Sequence, residues 1–123
     1  MSDYTKLEVW QKSRAFARDI YEASASFPQH EQFCLTQQIR RAAVSIPSNI
    51  AEGSGRGSSR DRSNFILIAR GSAFEVETQL FIAEDLHYVE SSTAAELRDR
   101  ANEIGRMLTG LIRYYARPVT NDQ

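Results

Sequence analysis

The residues best suited to chemistry in this 123-residue chain are two histidines, one cysteine and a glycine-rich segment. Glu84 and His87 have the Glu-x-x-His spacing that places two metal ligands on one face of a helix in di-iron carboxylate bundles. Such centres need a second Glu-x-x-His pair and further inward-facing glutamates, but the residue three positions before His30 is Phe27. We therefore predict no metal site and no cofactor.

Cys34 is the only cysteine, and it lies between Phe33 and Leu35. These apolar neighbours predict a buried structural thiol rather than a nucleophile. Nucleophilic triads would lack a base, since the two histidines are isolated in the sequence. We predict that the protein is not an enzyme.

The single cysteine also rules out an intramolecular disulfide, which fits a reducing cytoplasm. No run of about 20 apolar residues is present, so no membrane span is expected. The first residues lack the apolar segment and cleavage site of a secretory signal. Together these features predict a cytoplasmic protein without a membrane partner.

The glycine-rich segment at 53–59, GSGRGSS, lies in the most basic part of the chain. It lacks the Gly-Lys-Ser/Thr ending of a P-loop and follows a helical pattern rather than a strand, so no nucleotide-binding fingerprint applies. Residues 40–70 contain six arginines and two acids, a net charge of +4, whereas residues 75–103 have a net charge of −6. The six arginines are Arg40, Arg41, Arg56, Arg60, Arg62 and Arg70.

Two interpretations of this basic elbow between helices two and three are open. Arginines beside the free N–H groups of a helix start can hold phosphates, which would make the elbow a nucleic-acid-binding surface. Alternatively, the segment is a solvated turn whose arginines offset the acids of the following helix.

The elements that must position these residues are helices, because apolar residues recur every three or four positions. Pro47 falls inside the second helical pattern, which continues in phase, so we predict a kink rather than a break. Short turns between the helices predict an all-α fold, an antiparallel up-down four-helix bundle with a kinked second helix. It forms a single domain over 1–123, with its core at about 5–116 and a loose tail at 118–123. The helices are predicted at about 6–26, 31–53, 60–89, and from the turn at 90–93 to Pro118.

The third predicted helix has apolar residues on two opposite faces. One stripe, from Phe65 to Leu86, is expected to face the core. At 100° per residue, a second row lies about 160° away, where a bundle helix has no neighbour of its own. This row predicts a subunit interface, although isolated exposed aromatic residues also occur without a partner. The row consists of Leu67, Phe74, Phe81 and Tyr88, spaced by seven residues.

Three segments resemble the bacterial 23S rRNA intervening-sequence protein family. They are LEVWQKS at 7–13, QIRRAAVSIPSNIAEG at 38–53, and ARGSA at 69–73 followed by Glu75. The resemblance extends over about residues 5–115 and implies a four-helix bundle that assembles as a homopentamer around a central pore. The accessory variability protein of diversity-generating retroelements, which binds nucleic acid and a reverse transcriptase, shares the fold.

The favoured function is therefore a non-enzymatic oligomer, pentameric by resemblance, that associates with nucleic acid through the basic elbow. RNA is favoured over DNA as the bound nucleic acid. The alternative is a protein–protein scaffold, or an accessory subunit of a nucleic-acid enzyme, without direct nucleic-acid contact. In that case the arginines would pair with acids of a partner protein or of a neighbouring subunit.

Overall fold

The computed structural model describes residues 3–117, which form four α-helices. Within that range no residue is in a strand, and the all-α prediction is confirmed. The predicted tail at 118–123 lies outside the described residues. The helices are α1 (Glu8–Ser24), α2 (Leu35–Ser54), α3 (Ser59–Asp85) and α4 (Ser91–Ala116), with single 3-10 turns at Tyr4–Lys6 and Gln29–Glu31.

Each helix packs against the next one in the chain, and α1 also packs against α4. Arg98 of α4 contacts Glu84 near the end of α3, whereas Thr109, later in α4, contacts Arg70. The two helices therefore lie side by side in opposite directions. Pro47 lies inside an uninterrupted α2, and both the kink there and the up-down path of the whole chain stay predictions.

Large aliphatic side chains and one phenylalanine fill the space between the helices. Burying such a side chain contributes roughly 1.5–3 kcal/mol each, so this core is the main source of stability. The largest fully buried apolar side chains are Phe16, Ile20, Ile39, Ile46, Ile50, Ile66, Leu80, Ile104, Leu108 and Val76.

The prediction that Cys34 is buried is wrong. α2 begins at Leu35, later than predicted, so Cys34 precedes the helix and is not part of its buried stripe. Its side chain is exposed, and the neighbouring Phe33 is 79% exposed.

α3 ends before the predicted position because the chain turns sharply at His87. The φ angle of His87 is 62°, in the left-handed region, and the N–H of Tyr88 donates to the carbonyl of Ala83 at 2.9 Å. This is the hydrogen-bonding pattern of a Schellman cap. As a consequence Leu86, expected in the core, is 47% exposed, and Tyr88 no longer continues the helix.

Tyr88 instead packs against Phe27 and donates a hydrogen bond to Glu31. Its ring centroid lies 5.6 Å from that of Phe27, and its hydroxyl donates to Oε2 of Glu31 at 2.8 Å. The hydrogen bond from Tyr88, together with one from the N–H of Leu35, holds the pKa of Glu31 below its ordinary value of 4.5. Since the folded pKa is depressed, these bonds stabilise the fold above about pH 4.5, and the stabilisation is lost as the pH falls through the folded pKa.

Tyr88→Phe is therefore expected to raise the pKa of Glu31 toward 4.5 and to weaken the loss of stability in acid. The substitution removes the hydroxyl donor and keeps the ring against Phe27. An NMR titration of the Glu31 carboxylate measures the change. Tyr114→Phe, near the opposite end of the bundle, is the control and leaves that pKa unchanged. An unaltered titration in Tyr88→Phe would show that the hydroxyl does not bind Glu31.

Candidate nucleic-acid interface

The structure places the six predicted arginines in three separate regions. Arg56, Arg60 and Arg62 lie at the elbow between α2 and α3, whereas Arg40 and Arg41 lie in the first half of α2. At a rise of 1.5 Å per residue, Arg40 is about 21 Å from Ser54, where α2 ends before the elbow. The predicted patch is therefore not one continuous surface.

Arg40 holds α1 and α2 together. Its Nε donates to Oγ of Ser24 at 2.8 Å, and its Nη2 donates to the carbonyl oxygen of Tyr21 at 3.2 Å. The guanidinium also lies 4.7 Å from the centroid of the Tyr21 ring. Arg40 thus satisfies a backbone carbonyl at the end of α1, and this contact stabilises the packing of α1 on α2. Arg41 beside it is exposed.

Arg70 joins α3 to α4 rather than facing outward. It is half-buried, and its Nη1 donates to the hydroxyl of Thr109 at 3.2 Å. Thr109 in turn donates to the carbonyl of Gly105 at 3.1 Å. This arginine therefore stabilises a helix contact.

Two of the three elbow arginines are held by neighbouring groups. Arg56 pairs with Glu52 at 2.9 Å, and its guanidinium lies 4.6 Å from the centroid of the Phe65 ring. Arg62 donates to the carbonyl of Arg56 at 3.0 Å. Arg60 is exposed, and its side chain has no ion pair or hydrogen bond within residues 3–117. The elbow thus presents one free guanidinium beside two that are already oriented.

The end of α4 extends this basic surface. The guanidinium of Arg62 lies 5.2 Å from the centroid of the Tyr115 ring, and the rings of Tyr114 and Tyr115 are 5.7 Å apart. Arg117 lies 4.2 Å from the Tyr114 ring, while Arg113 is exposed. We call the combined surface the arginine–aromatic cluster. It consists of Arg56, Arg60, Arg62, Phe65, Arg113, Tyr114, Tyr115 and Arg117.

Sequence reasoning missed the part of this cluster contributed by α4. In the motif RYYAR at 113–117 two arginines flank a pair of tyrosines, and such a combination of basic and aromatic residues is a signal for a nucleic-acid surface. Nothing local in the sequence indicates that α4 ends beside the elbow. With Glu52 and Asp61 included, the five arginines of the cluster give a net charge of +3.

Acidic residues occupy the other end of the bundle. Residues 75–103, with a net charge of −6, cover the second half of α3 and the first half of α4. Arg98 donates to Glu84 there at 2.6 Å, and the hydrogen bonds from Arg98 and Ser91 lower the pKa of Glu84. The carboxylate therefore stays ionised near neutral pH. A polyanion is attracted to the cluster and repelled from the acidic end.

Three members of the predicted apolar row share the exposed face of α3. Leu67, Phe74 and Phe81 are 42%, 51% and 50% exposed. Tyr88, the fourth member, lies beyond the end of α3 and is half-buried. Two further side chains, Ile68 and Ile82, are 53% and 43% exposed on the same helix. We call these five the α3 apolar face: Leu67, Ile68, Phe74, Phe81 and Ile82.

Within residues 3–117, no group of three or more His, Cys, Asp or Glu side chains is placed to hold a metal ion. None of the helices in that part of the chain has the length and hydropathy needed to span a membrane.

The fold and site define a helical bundle with a basic end and an apolar helix face. The chain belongs to the 23S rRNA-intervening sequence protein family, whose sequence profile matches residues 5–110. It is similar to the crystal structure of a protein of unknown function from the S23 ribosomal protein family of Bacteroides thetaiotaomicron VPI-5482. The two are 28% identical, the match covers 85% of this chain and 98% of the other, and the TM-score is 0.77. No curated protein matches the chain.

Proposed function

We propose that this protein is a non-enzymatic oligomer that binds RNA through the arginine–aromatic cluster. The observation that carries the proposal is the concentration of arginines from the α2–α3 turn, the start of α3 and the end of α4 at one end of a bundle whose other end is acidic. Such a charge distribution orients a polyanion and brings it to one surface. The name of the family, which refers to inserts in 23S rRNA, adds support for RNA.

The individual contacts suit phosphate binding. Arg60 and Arg113 are exposed and have no acidic partner within the described chain, so binding a phosphate breaks no existing ion pair. Arg56 and Arg62 lie against the rings of Phe65 and Tyr115, which limits the side-chain entropy lost on binding.

Oligomerisation would multiply a modest charge. One subunit offers a net charge of +3 at the cluster, and several copies on one assembly increase the affinity through effective concentration. We place the subunit contact on the α3 apolar face and, following the family resemblance, take the assembly to be a pentamer. Arg60 is seven residues before Leu67 and so on the same side of α3, next to this contact.

Phe74→Asp and Phe81→Asp are each expected to give a smaller species than the wild type. A carboxylate at either position removes apolar area from the proposed contact and loses its hydration there, which is unfavourable. Multi-angle light scattering measures the mass, and circular dichroism confirms that the helices persist. Val44→Asp, at a similarly exposed apolar position on α2, is the control and keeps the wild-type mass. A wild-type mass for both phenylalanine variants would overturn the proposed contact.

RNA binding is tested by an anisotropy titration of the purified oligomer at increasing salt. A surface that neutralises five phosphates should lose roughly 10²- to 10³-fold in affinity between about 50 and 200 mM salt, because bound counterions are released on binding. The absence of binding at about 50 mM salt would refute the proposal.

The complementary charges of the two ends favour one alternative, a protein scaffold. In that arrangement the cluster of one copy pairs with the acidic residues at 75–103 of another copy or of a partner protein. Charge reversal at Arg56, Arg60 and Arg62 distinguishes RNA binding from the scaffold function. Loss of assembly would support the scaffold, whereas intact assembly with loss of RNA binding would support the proposed function.

A further inference from the structure

Tyr114 is the most exposed aromatic side chain of the arginine–aromatic cluster. It is 54% exposed, although it lies in the last turn of α4 beside two other large side chains. The Tyr115 ring meets it edge-on, with an interplanar angle of 60°, and the guanidinium of Arg117 is 4.2 Å from its ring centroid. Tyr114 is therefore oriented by its neighbours while more than half of its surface is open.

The other two aromatic residues of the cluster have a different role. Arginine side chains lie over all three rings of the cluster, but Phe65 and Tyr115, beneath Arg56 and Arg62, are only partly exposed. They orient the guanidinium groups and leave less surface for a ligand. Tyr114 is thus the one ring of the cluster with the exposure that stacking a base requires.

An exposed ring beside an arginine, on a basic surface, matches the chemistry of unpaired nucleotides. Proteins that bind single strands combine a basic surface for the phosphates with aromatic side chains on which bases stack. In a duplex the bases are already stacked on each other, so an RNA helix offers mainly phosphates and 2′-hydroxyls to such a surface. A purely phosphate-binding surface has no need for an exposed tyrosine.

We infer that the cluster recognises single-stranded RNA, with Tyr114 stacking on an unpaired base while Arg60 and Arg113 bind adjacent phosphates. The inference rests on the RNA binding proposed above. It adds to that proposal the form of the RNA and the residue that distinguishes a single strand from a duplex.

The test compares a single-stranded oligouridine of about 12 nucleotides with an RNA duplex of the same length, both titrated with the full-length oligomer. The wild type is expected to bind the single strand more tightly than the duplex. Tyr114→Ala is expected to weaken single-strand binding by about tenfold and to leave duplex binding unchanged. Tyr114→Phe, which keeps the ring, is expected to bind the single strand as the wild type does.

Two further measurements exclude simpler explanations. Tyr114→Ala removes no charge, so the dependence of single-strand affinity on salt should keep its slope. Tyr21→Ala removes another exposed ring that lies beside an arginine, Arg40, outside the cluster, and it should leave both affinities unchanged.

The outcomes separate this inference from the proposed function. Binding to both RNAs with equal affinity, or an unchanged single-strand affinity in Tyr114→Ala, would overturn the stacking role while leaving RNA binding in place. No binding to either RNA at low salt would overturn both.

Discussion

Gly53→Ala is expected to destabilise the bundle by about 1–3 kcal/mol, although alanine is normally the better residue in a helix. A Cβ at position 53 would lie 2.9 Å from the Cβ of Phe65 and 3.1 Å from the carbonyl oxygen of Arg62. Both atoms belong to the α3 framework and cannot rotate away. α2 and α3 would have to separate at the elbow, where this glycine lies directly against α3.

Chemical denaturation followed by circular dichroism measures this effect, at one protein concentration because the proposed assembly would contribute to stability. Gly110→Ala in α4 is the matched control. Nothing lies within 4 Å of a Cβ built at Gly110, so this variant should be more stable than the wild type by about 0.5–1 kcal/mol. Equal stability of Gly53→Ala and the wild type would contradict the close approach of the two helices.

Replacing Arg60, Arg113 and Arg117 together by glutamine is expected to reduce RNA affinity by about 100-fold or more near 0.1 M salt. These three side chains have no ion pair within residues 3–117, so their loss leaves no acid there unpaired. The slope of log affinity against log salt should also fall in magnitude by about three, one for each phosphate contact removed. An anisotropy titration over a salt series gives both quantities.

The control for this variant removes the same charge elsewhere. Arg14, Arg18 and Arg41 are exposed and lie outside the cluster, on α1 and in the first half of α2. Their replacement by glutamine should change the affinity much less. If the two triple variants lose the same affinity, RNA binding depends on the net charge of the protein alone, and the cluster is not the binding surface.

The contrast between Arg60 and Arg40 shows what the sequence can and cannot predict. The elbow was predictable because its glycines, serines and arginines are contiguous, and the four helices follow from the spacing of apolar residues. Arg40 looked equivalent to Arg60 in the sequence, but it binds the end of α1, which only the packing of two helices reveals. Tyr114 and Arg117 were missed for the same reason, since α4 reaches the elbow only in the folded bundle.

Tyr88 shows a second limit, in which a local turn overrides a regular pattern. Its spacing of seven from Phe81 placed it on the outer face of α3. The left-handed His87 ends the helix first, and the chain then directs Tyr88 toward Phe27 and Glu31. Non-glycine residues adopt this backbone conformation infrequently, so the spacing of the apolar residues did not predict the turn. Leu67, Phe74 and Phe81 precede it and stay on the exposed face.

The central proposal is that RNA contacts the basic end of the bundle, and cross-linking maps that contact directly. Single-stranded RNA carrying 4-thiouridine is irradiated in complex with the wild-type protein, and the cross-linked peptides are identified by mass spectrometry. We expect cross-links within 56–65 and 113–117, with Tyr114 among the modified residues. Cross-links confined to residues 77–99, at the acidic end, would contradict the proposed binding surface.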